Sequence, residues 1–467
     1  MIVLKFGGTS LADAAAIERA CEIVRSRQAR GTAVVVSAMA DVTNTLLEIA
    51  ERAASGQLIV ALQLVEALRT RHLRAGEMLL GAGEAADDLC GDLSALWDEV
   101  ANLAAALSVL GHLTPRSQDA IAAFGESCSA PLVAAAFRHR GVPGVELDAR
   151  GIIVTDDAFG RASPLFDAIT RAARDQVLPR LNAGEVPVLG GFIGGTAQGV
   201  PTTLGRGGSD FTAALLGAAL DAEAIEIWTD VNGMLTADPR IVPDARLIEE
   251  IRFDEASELA TFGAKVLHPS AIAPAVQRGI PVYIFNSRNP SGCGTRITAS
   301  APIRDVTAIA GKRDVTVVRV RSARMLLAHG VLRRIFEVFE RHRVSIDVVA
   351  TSEVSVSVTV DDPSRLEPLL VDLAPFGDVA IERRRAIVAV VGSGLGGGSR
   401  TMARALDALG EIRVHMLSLS ATEINLTILV DDELLPTAMR ALHGAFFGPV
   451  SADEHGRLPP RTTERAT

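Results

Sequence analysis

Several things are scarce in this sequence, and each scarcity narrows what the chain can be. Four cysteines occur in 467 residues, Cys21, Cys90, Cys128 and Cys293. They are widely separated with no paired metal-ligand spacing, which points to a reducing compartment and to cysteines that fill core space. No apolar run reaches about 18 residues without a charge, so no membrane span is expected. No leader-like segment stands ahead of the first apolar stretch, and a cytoplasmic protein is expected. Basic residues are outnumbered, 46 against 56 acidic, for a net charge of −10. That balance disfavours nonspecific nucleic-acid binding and says nothing about fold. Two nucleotide signatures are also missing. Gly311-Lys312 runs into Arg313, so there is no Walker-type loop, and Asp210-Phe211 continues to Thr212 rather than to the glycine of a protein kinase.

What is present is ordinary in composition, 48% hydrophobic and 22% charged, and long enough for about three domains. Ile2-Val3-Leu4-Lys5-Phe6 runs into Gly7-Gly8-Thr9-Ser10. Ser10 stands at N-cap spacing before Asp13, and Ile17, Ala20, Cys21 and Val24 follow at helical intervals. A strand that passes through a diglycine into a helix can cradle an anion: glycines admit backbone N–H groups, the helix end adds partial charge, and Lys5 adds a full one. A buried strand with a tight turn and a snorkelling lysine would read the same way.

Thr32 to Ser37 is a second buried strand, and residues 46–110 are helical with breaks near Gly56, Gly76 and Gly91 and no visible chemistry. A helix over 120–138 contains Gly125-Glu126-Ser127; short strands around Val145 and Ile152 and a helix over 164–181 follow. The apolar run from Val186 ends in Gly190-Gly191, and Thr203-Leu204-Gly205-Arg206-Gly207-Gly208-Ser209-Asp210 enters another helix. A strand over 224–230, a helix over 254–267 and a strand over 281–286 complete an α/β unit with a parallel sheet, placed at 1–298. Beyond it a βαββαβ pattern of about 70 residues occurs twice, over 312–385 and 386–453, leaving 454–467 as a tail expected to be disordered. Gly392-Ser393-Gly394-Leu395-Gly396-Gly397 follows a strand, but it opens the second small copy, which is too short for a dinucleotide domain.

Three glycine-bearing turns therefore end apolar strands, and in open α/β sheets such turns share one crevice. In the third, Arg206 can hold a carboxylate bidentately, and Asp210 can position lysines or a metal ion. Ser209-Asp210 would equally serve as a plain helix cap. Lysines beside glycine cradles suit phosphoryl transfer, in which positioning and charge neutralisation do most of the catalysis.

Five segments in order carry a resemblance. Lys5-Phe6-Gly7-Gly8-Thr9-Ser10, Val42-Thr43-Asn44, Thr203 to Asp210, Trp228-Thr229-Asp230-Val231 and Phe262-Gly263-Ala264-Lys265-Val266-Leu267-His268-Pro269 together resemble the aspartate kinases of the amino-acid kinase family, of the monofunctional lysine-sensitive type. The resemblance implies a three-layer sandwich with a mostly parallel central sheet, followed by two ferredoxin-like ACT domains. It implies phosphorylation of the L-aspartate β-carboxylate by ATP with Mg2+, the first step towards lysine, threonine and methionine.

It further implies roles for particular residues. Lys5 would neutralise the transferring phosphoryl group, Gly7 and Gly8 would donate N–H groups, and Asp210 would organise the charged centre. Thr43, Glu126 and Arg206 would hold aspartate, Glu126 taking the ammonium, with Ser37, Ser209 and the backbone near Phe192 bordering the pocket. Thr229, Asp230, Leu235, Arg240, Lys265 and Val266 match nucleotide-contacting positions. Leu235 departs from the tyrosine often found in relatives, which implies altered nucleotide affinity. His268 is expected to be structural, and no protein-held metal site is expected. Met325, Gly330, Ser345, Ile346, Asp347, Ser352 and Glu353 fall where lysine-sensitive relatives bind lysine, although Ala328 replaces a helpful hydroxyl. The implied partners are aspartate, ATP, an allosteric amino acid (lysine foremost), and a second copy joined through the ACT domains as dimer or tetramer. Two alternatives stay open: a catalytically dead amino-acid sensor, and an amino-acid kinase acting on another carboxylate.

Overall fold

In the computed structural model, residues 1–263, 267, 269–325 and 329–448 are described. They divide into two units, the first comprising Met1–Leu235 and Arg246–Ile303. Its strands are β1 (Ile2–Phe6), β2 (Thr32–Val36), β3 (Gly144–Leu147), β4 (Val154–Thr155), β5 (Val186–Gly190), β6 (Ile193–Thr196), β7 (Pro201–Thr203), β8 (Ala224–Thr229), β9 (Glu250–Ile251), β10 (Val282–Asn286) and β11 (Thr295–Ile297). Eight of them form one sheet in the order β3-β5-β2-β1-β8-β10-β11-β9, parallel throughout except between β10 and β11. A three-stranded sheet, β4-β6-β7, carries the chain from β5 towards the Arg206 turn.

The helices of this unit are α1 (Ala14–Arg27), α2 (Val42–Ala54), α3 (Leu58–Leu80), α4 (Glu84–Leu110), α5 (Pro115–Ala122), α6 (Phe124–His139), α7 (Phe166–Gln176), α8 (Leu178–Asn182), α9 (Gly208–Ala219), α10 (Phe253–Thr261) and α11 (Ala273–Gln277). Alternation along β1 sets the layers. Ile2, Leu4 and Phe6 enter a core with Ile17, Cys21 and Val24 of α1, whereas Lys5 on the opposite face reaches α9. β1 and β2 are almost wholly apolar because both of their faces are covered.

Local expectations fail where a glycine or a hydroxyl serves packing instead of termination. Ser10 does not cap α1; Asp13 does, accepting from Ala16 N at 2.8 Å, while the Ser10 hydroxyl donates to Trp228 O (3.1 Å) and bonds Ser287 Oγ (2.7 Å). Gly76 lies inside α3, where an added Cβ would approach Leu89 of α4 to 3.3 Å, so it permits close helix contact rather than a break. Gly91 lies inside α4, and the break falls at Gly81 and Gly83, whose φ angles are 70° and 150°. The helix expected over 120–138 is two, α5 with a Thr114 cap and Pro115 at its first turn, then α6. By length and composition the helical stretches 84–110 and 115–139 are apolar enough to cross a membrane. In the fold α4 buries Leu93, Trp97, Val100 and Ala104, and α6 is largely buried.

The second unit contains Thr236–Ala245 and the chain from Arg304 onward. Its strands are β12 (Ala308–Arg321), β13 (Val349–Ser352), β14 (Ser355–Val360), β15 (Asp378–Val391), β16 (Met416–Leu419) and β17 (Asn425–Asp431), with helices α12 (Val331–Arg341), α13 (Leu366–Leu373), α14 (Ser399–Leu409) and α15 (Leu435–Phe447). All six strands form one sheet, β13-β14-β12-β15-β17-β16. The boundary expected between residues 385 and 386 falls inside the continuous strand β15. Its first half pairs with Val315–Arg321 of β12 and its second half, Ile387–Val391, with Ala308–Lys312. Each copy thus has four strands, but the second borrows its last from the start of β12. β12 and β15 stay paired throughout, and the passage from one copy to the other falls at register irregularities near Asp314 and Arg384, both with a φ of 57°. Residues 236–245, within the stretch the sequence reading placed in the first domain, pack here: Ala237 and Val242 join the core of the second copy.

Candidate active site

A crevice of about 350 Å³ opens in the first unit at the carboxyl ends of β1 and β2. It brings together nine of the residues expected there: Lys5, Gly8, Ser37, Thr43, Glu126, Phe192, Arg206, Ser209 and Asp210. The Lys5 ammonium lies 2.7 Å from an Asp210 carboxylate oxygen, both side chains being about one-tenth exposed. Close approach of backbones makes this possible. Gly207 has a φ of 70° ahead of α9, and a Cβ on Gly208 would stand 2.9 Å from Phe192 Cα, so only glycine lets α9 begin against that chain. Ser209 does not cap the helix; it lies in the first turn behind Gly207.

Across the crevice Glu126 occupies the first turn of α6 and is buried. Ala38 N donates to its Oε1 at 3.1 Å, while Oε2 has no partner among the described residues. Burial pushes its pKa up to about 8, against the opposing pull of backbone N–H donors and of the Lys5 charge. A carboxylate oxygen without a partner at a crevice wall is chemically able to accept from an ammonium. Arg206 also lines the crevice and is exposed, and among the described residues its guanidinium has no hydrogen-bond or ion-pair partner to divert it from an incoming carboxylate.

Gly7, expected to donate its N–H to the phosphoryl group, instead donates it to Trp228 O at 3.0 Å, because the β1–β8 ladder extends one residue past Phe6. Thr229 and Asp230 lie at the carboxyl end of β8, the strand beside β1, with Thr229 O tied by Ser287 N at 2.8 Å. Leu235 is half-buried and bridges Leu247. Arg240 belongs to the second unit and is exposed, its guanidinium held 2.7 Å from Asp238 of its own turn. Lys265, Val266, His268 and Ala328, like the tail at 454–467, lie outside the described residues.

Further contributors were assigned no role from the sequence, although Asn44 belongs to the Val42-Thr43-Asn44 segment. Asn44, Ala40 and Asp41 line the crevice, and Asp41 has a φ of 64° at the start of α2. Asp119 of α5, 2% exposed, accepts from Thr203 N (3.1 Å), Thr203 Oγ1 (2.7 Å) and Gly160 N (2.8 Å), anchoring the strand that leads to Arg206.

In the second unit the expected effector positions surround the first copy. Met325 is buried, Gly330 precedes α12 with a φ of 74°, and Ser352 Oγ bonds Ser355 Oγ at 2.7 Å. Ser345 and Ile346 lie in the loop before β13, and Glu353 is exposed. Asp347 is not a free strand-end charge: Lys312 Nζ sits 2.9 Å from it and 2.5 Å from Asp361.

A largely buried lysine–aspartate pair in one crevice with a buried glutamate and an exposed arginine, at the ends of parallel strands, fits the class of α/β phosphotransferases for small charged substrates. Comparison with known proteins narrows it. The amino acid kinase family model matches residues 1–286, and an ACT domain model matches residues 388–446. Lysine-sensitive aspartokinase 3 of Escherichia coli is 37% identical over 458 residues, 96% of this chain and 99% of that protein. The chloroplastic aspartokinase 3 of Arabidopsis thaliana is 36% identical over 465 residues, 95% of this chain and 81% of that protein. Among solved structures, E. coli aspartokinase III with aspartate and ADP (R-state) superposes with a TM-score of 0.84 at 36% identity, covering 96% of this chain and all of that one. The same enzyme with lysine and aspartate (T-state) gives 0.80. The chain belongs to the aspartokinases of the amino acid kinase family.

Proposed function

We propose that this chain transfers the γ-phosphoryl group of ATP to the β-carboxylate of L-aspartate, giving 4-phospho-L-aspartate. The observation that carries this reading is the Lys5–Asp210 pair at 2.7 Å, set in one crevice with Glu126 and Arg206. Glu126 Oε2 receives the substrate ammonium and Arg206 its α-carboxylate, with Thr43, Ser37 and Ser209 fixing the remainder. That leaves the β-carboxylate free to attack, and being already ionised near neutral pH it needs no base. Lys5 neutralises charge on the phosphoryl group in flight, and Asp210 holds the ammonium in place. Gly8 N–H, unlike that of Gly7, has no backbone partner among the described residues, and Gly8 lines the crevice.

Residues in the crevice fit a nucleotide phosphate. They do not form a metal cage: no group of three metal-ligating side chains occurs among the described residues. Mg2+ would therefore be held chiefly by the phosphates, with Asp210 as the crevice carboxylate available to it, and would supply charge neutralisation. Thr229 and Asp230, at the end of the neighbouring strand, support an adjoining nucleotide position.

The test is ATP-dependent hydroxamate formation with aspartate, glutamate and acetylglutamate, with Lys5→Ala as control. Activity on aspartate alone, lost in Lys5→Ala by about a hundredfold or more, is expected; equal activity on glutamate, or an unaffected Lys5→Ala, overturns the reading. For regulation, lysine is the effector supported by the relative described as lysine-sensitive; Asp347, already paired with Lys312, adds no support of its own. A lysine titration of initial rates should show inhibition, and a flat response at millimolar lysine removes it.

A further inference from the structure

One wall of the crevice is made of two turns, Gly8–Leu11 after β1 and the segment 37–41 after β2. They meet backbone to backbone: a Cβ on Gly8 would lie 3.0 Å from Ala38 O and 3.5 Å from Ala40 Cα. Such a contact offers no side-chain interlocking to fix its spacing. Among the described residues one side chain bridges it. Arg71, on α3, donates from Nη1 to Ala40 O at 2.7 Å and from Nη2 to Ala12 O at 2.9 Å. Ala40 lines the crevice, and Ala12 follows the Gly8–Leu11 turn. No carboxylate accepts from Arg71 among the described residues, so its hydrogen-bonding capacity goes to backbone.

We propose that Arg71 is a positioning residue, a strap that sets the separation of the phosphate-side turn from the substrate-side turn that leads to Thr43. The guanidinium suits this because its two terminal nitrogens are planar and rigidly spaced, so binding one carbonyl with each fixes the distance between the carbonyls. An ammonium could reach either oxygen but would not fix both. Phosphoryl transfer depends on placement of the reacting groups, so the strap acts on rate through geometry without touching substrate. The proposal rests on the kinase reading above. It draws chemistry from residues 46–110, where the sequence pattern carried none.

The experiment compares wild type, Arg71→Lys, Arg71→Met and Arg71→Ala in the full chain. Hydrogen exchange read by mass spectrometry should quicken in peptides covering residues 7–12 and 38–44 of Arg71→Met, and stay unchanged elsewhere in the first unit. In the same preparations kcat/KM for aspartate should fall about tenfold to a hundredfold, with Arg71→Lys intermediate. Added guanidinium ion at millimolar concentration should restore part of the Arg71→Ala rate, which a merely destabilised fold would not show. Unchanged exchange in the two turns overturns the strap. Faster exchange with kcat and KM both within about twofold of wild type overturns its catalytic consequence. An inactive wild-type chain would sink the kinase reading, and with it the catalytic half of this proposal, while exchange still decides whether the strap exists.

Discussion

Glu126 is the residue whose environment makes the most specific demand. An exposed or unfolded glutamate titrates near 4.5, and burial raises this one to about 8. Between those values the folded chain holds a proton that the unfolded chain has released. This group therefore favours folding most below about 4.5, and that contribution declines as pH rises through about 8. An aspartate ammonium at Oε2 favours the ionised form, so substrate binding expels the proton over the same window. We expect KM for aspartate to fall as pH rises towards 8 and to flatten above it. Glu126→Gln should raise KM and remove the slope, and a wild-type KM independent of pH across that range would contradict the assignment. Lys5, Arg206 and Asp210 were legible in the sequence because glycines beside them advertise close backbone approach. Gly7 misled because the extent of a strand ladder, not its composition, decides which N–H is spent. Asp119 and Arg71 were illegible for a related reason: most of their partners are main-chain atoms, which leave no complementary side chain to read.

Among the elements, turns carry the site and helices hold the turns. The strand at β1 was readable from its apolar run, whereas its faces, Leu4 and Phe6 in the core and Lys5 towards α9, emerge only from the fold. Helix ends were less so, since Gly76 and Gly91 lie within helices and only positive φ at Gly81 and Gly83 marks the break. The Gly8 turn allows a sharper test. A methyl there must push against Ala38 O at 3.0 Å, a backbone atom that cannot rotate away. Gly8→Ala should therefore lower kcat by about tenfold or more while leaving the melting temperature nearly unchanged. Gly56→Ala is a useful contrast, because its Cβ would meet nothing within 4 Å and only its φ of 81° opposes the change. Equal kinetic effects from the two would argue that the turn is not under geometric constraint.

At the scale of the whole molecule, the duplicated βαββαβ pattern was legible from periodicity, but its division was not. Nothing local in Arg384-Arg385-Ala386 reveals that one strand serves two copies; the pairing partner, Ala308–Lys312, lies more than seventy residues earlier. The strand exchange has a consequence for the order in which the chain can fold. The last strand of the second copy leaves the ribosome before any of the first copy has been made, and it must wait, unpaired, until Ile387–Val391 follows. A chain stopped after Arg385 should thus present Ala308–Lys312 as an open edge and associate with its own kind. Light scattering of that truncation against the full chain checks this, and a truncated chain that stays dispersed would contradict it. Synthesis of the second unit therefore opens on a wait that ends only about halfway along it, when Ile387–Val391 arrives to close the edge.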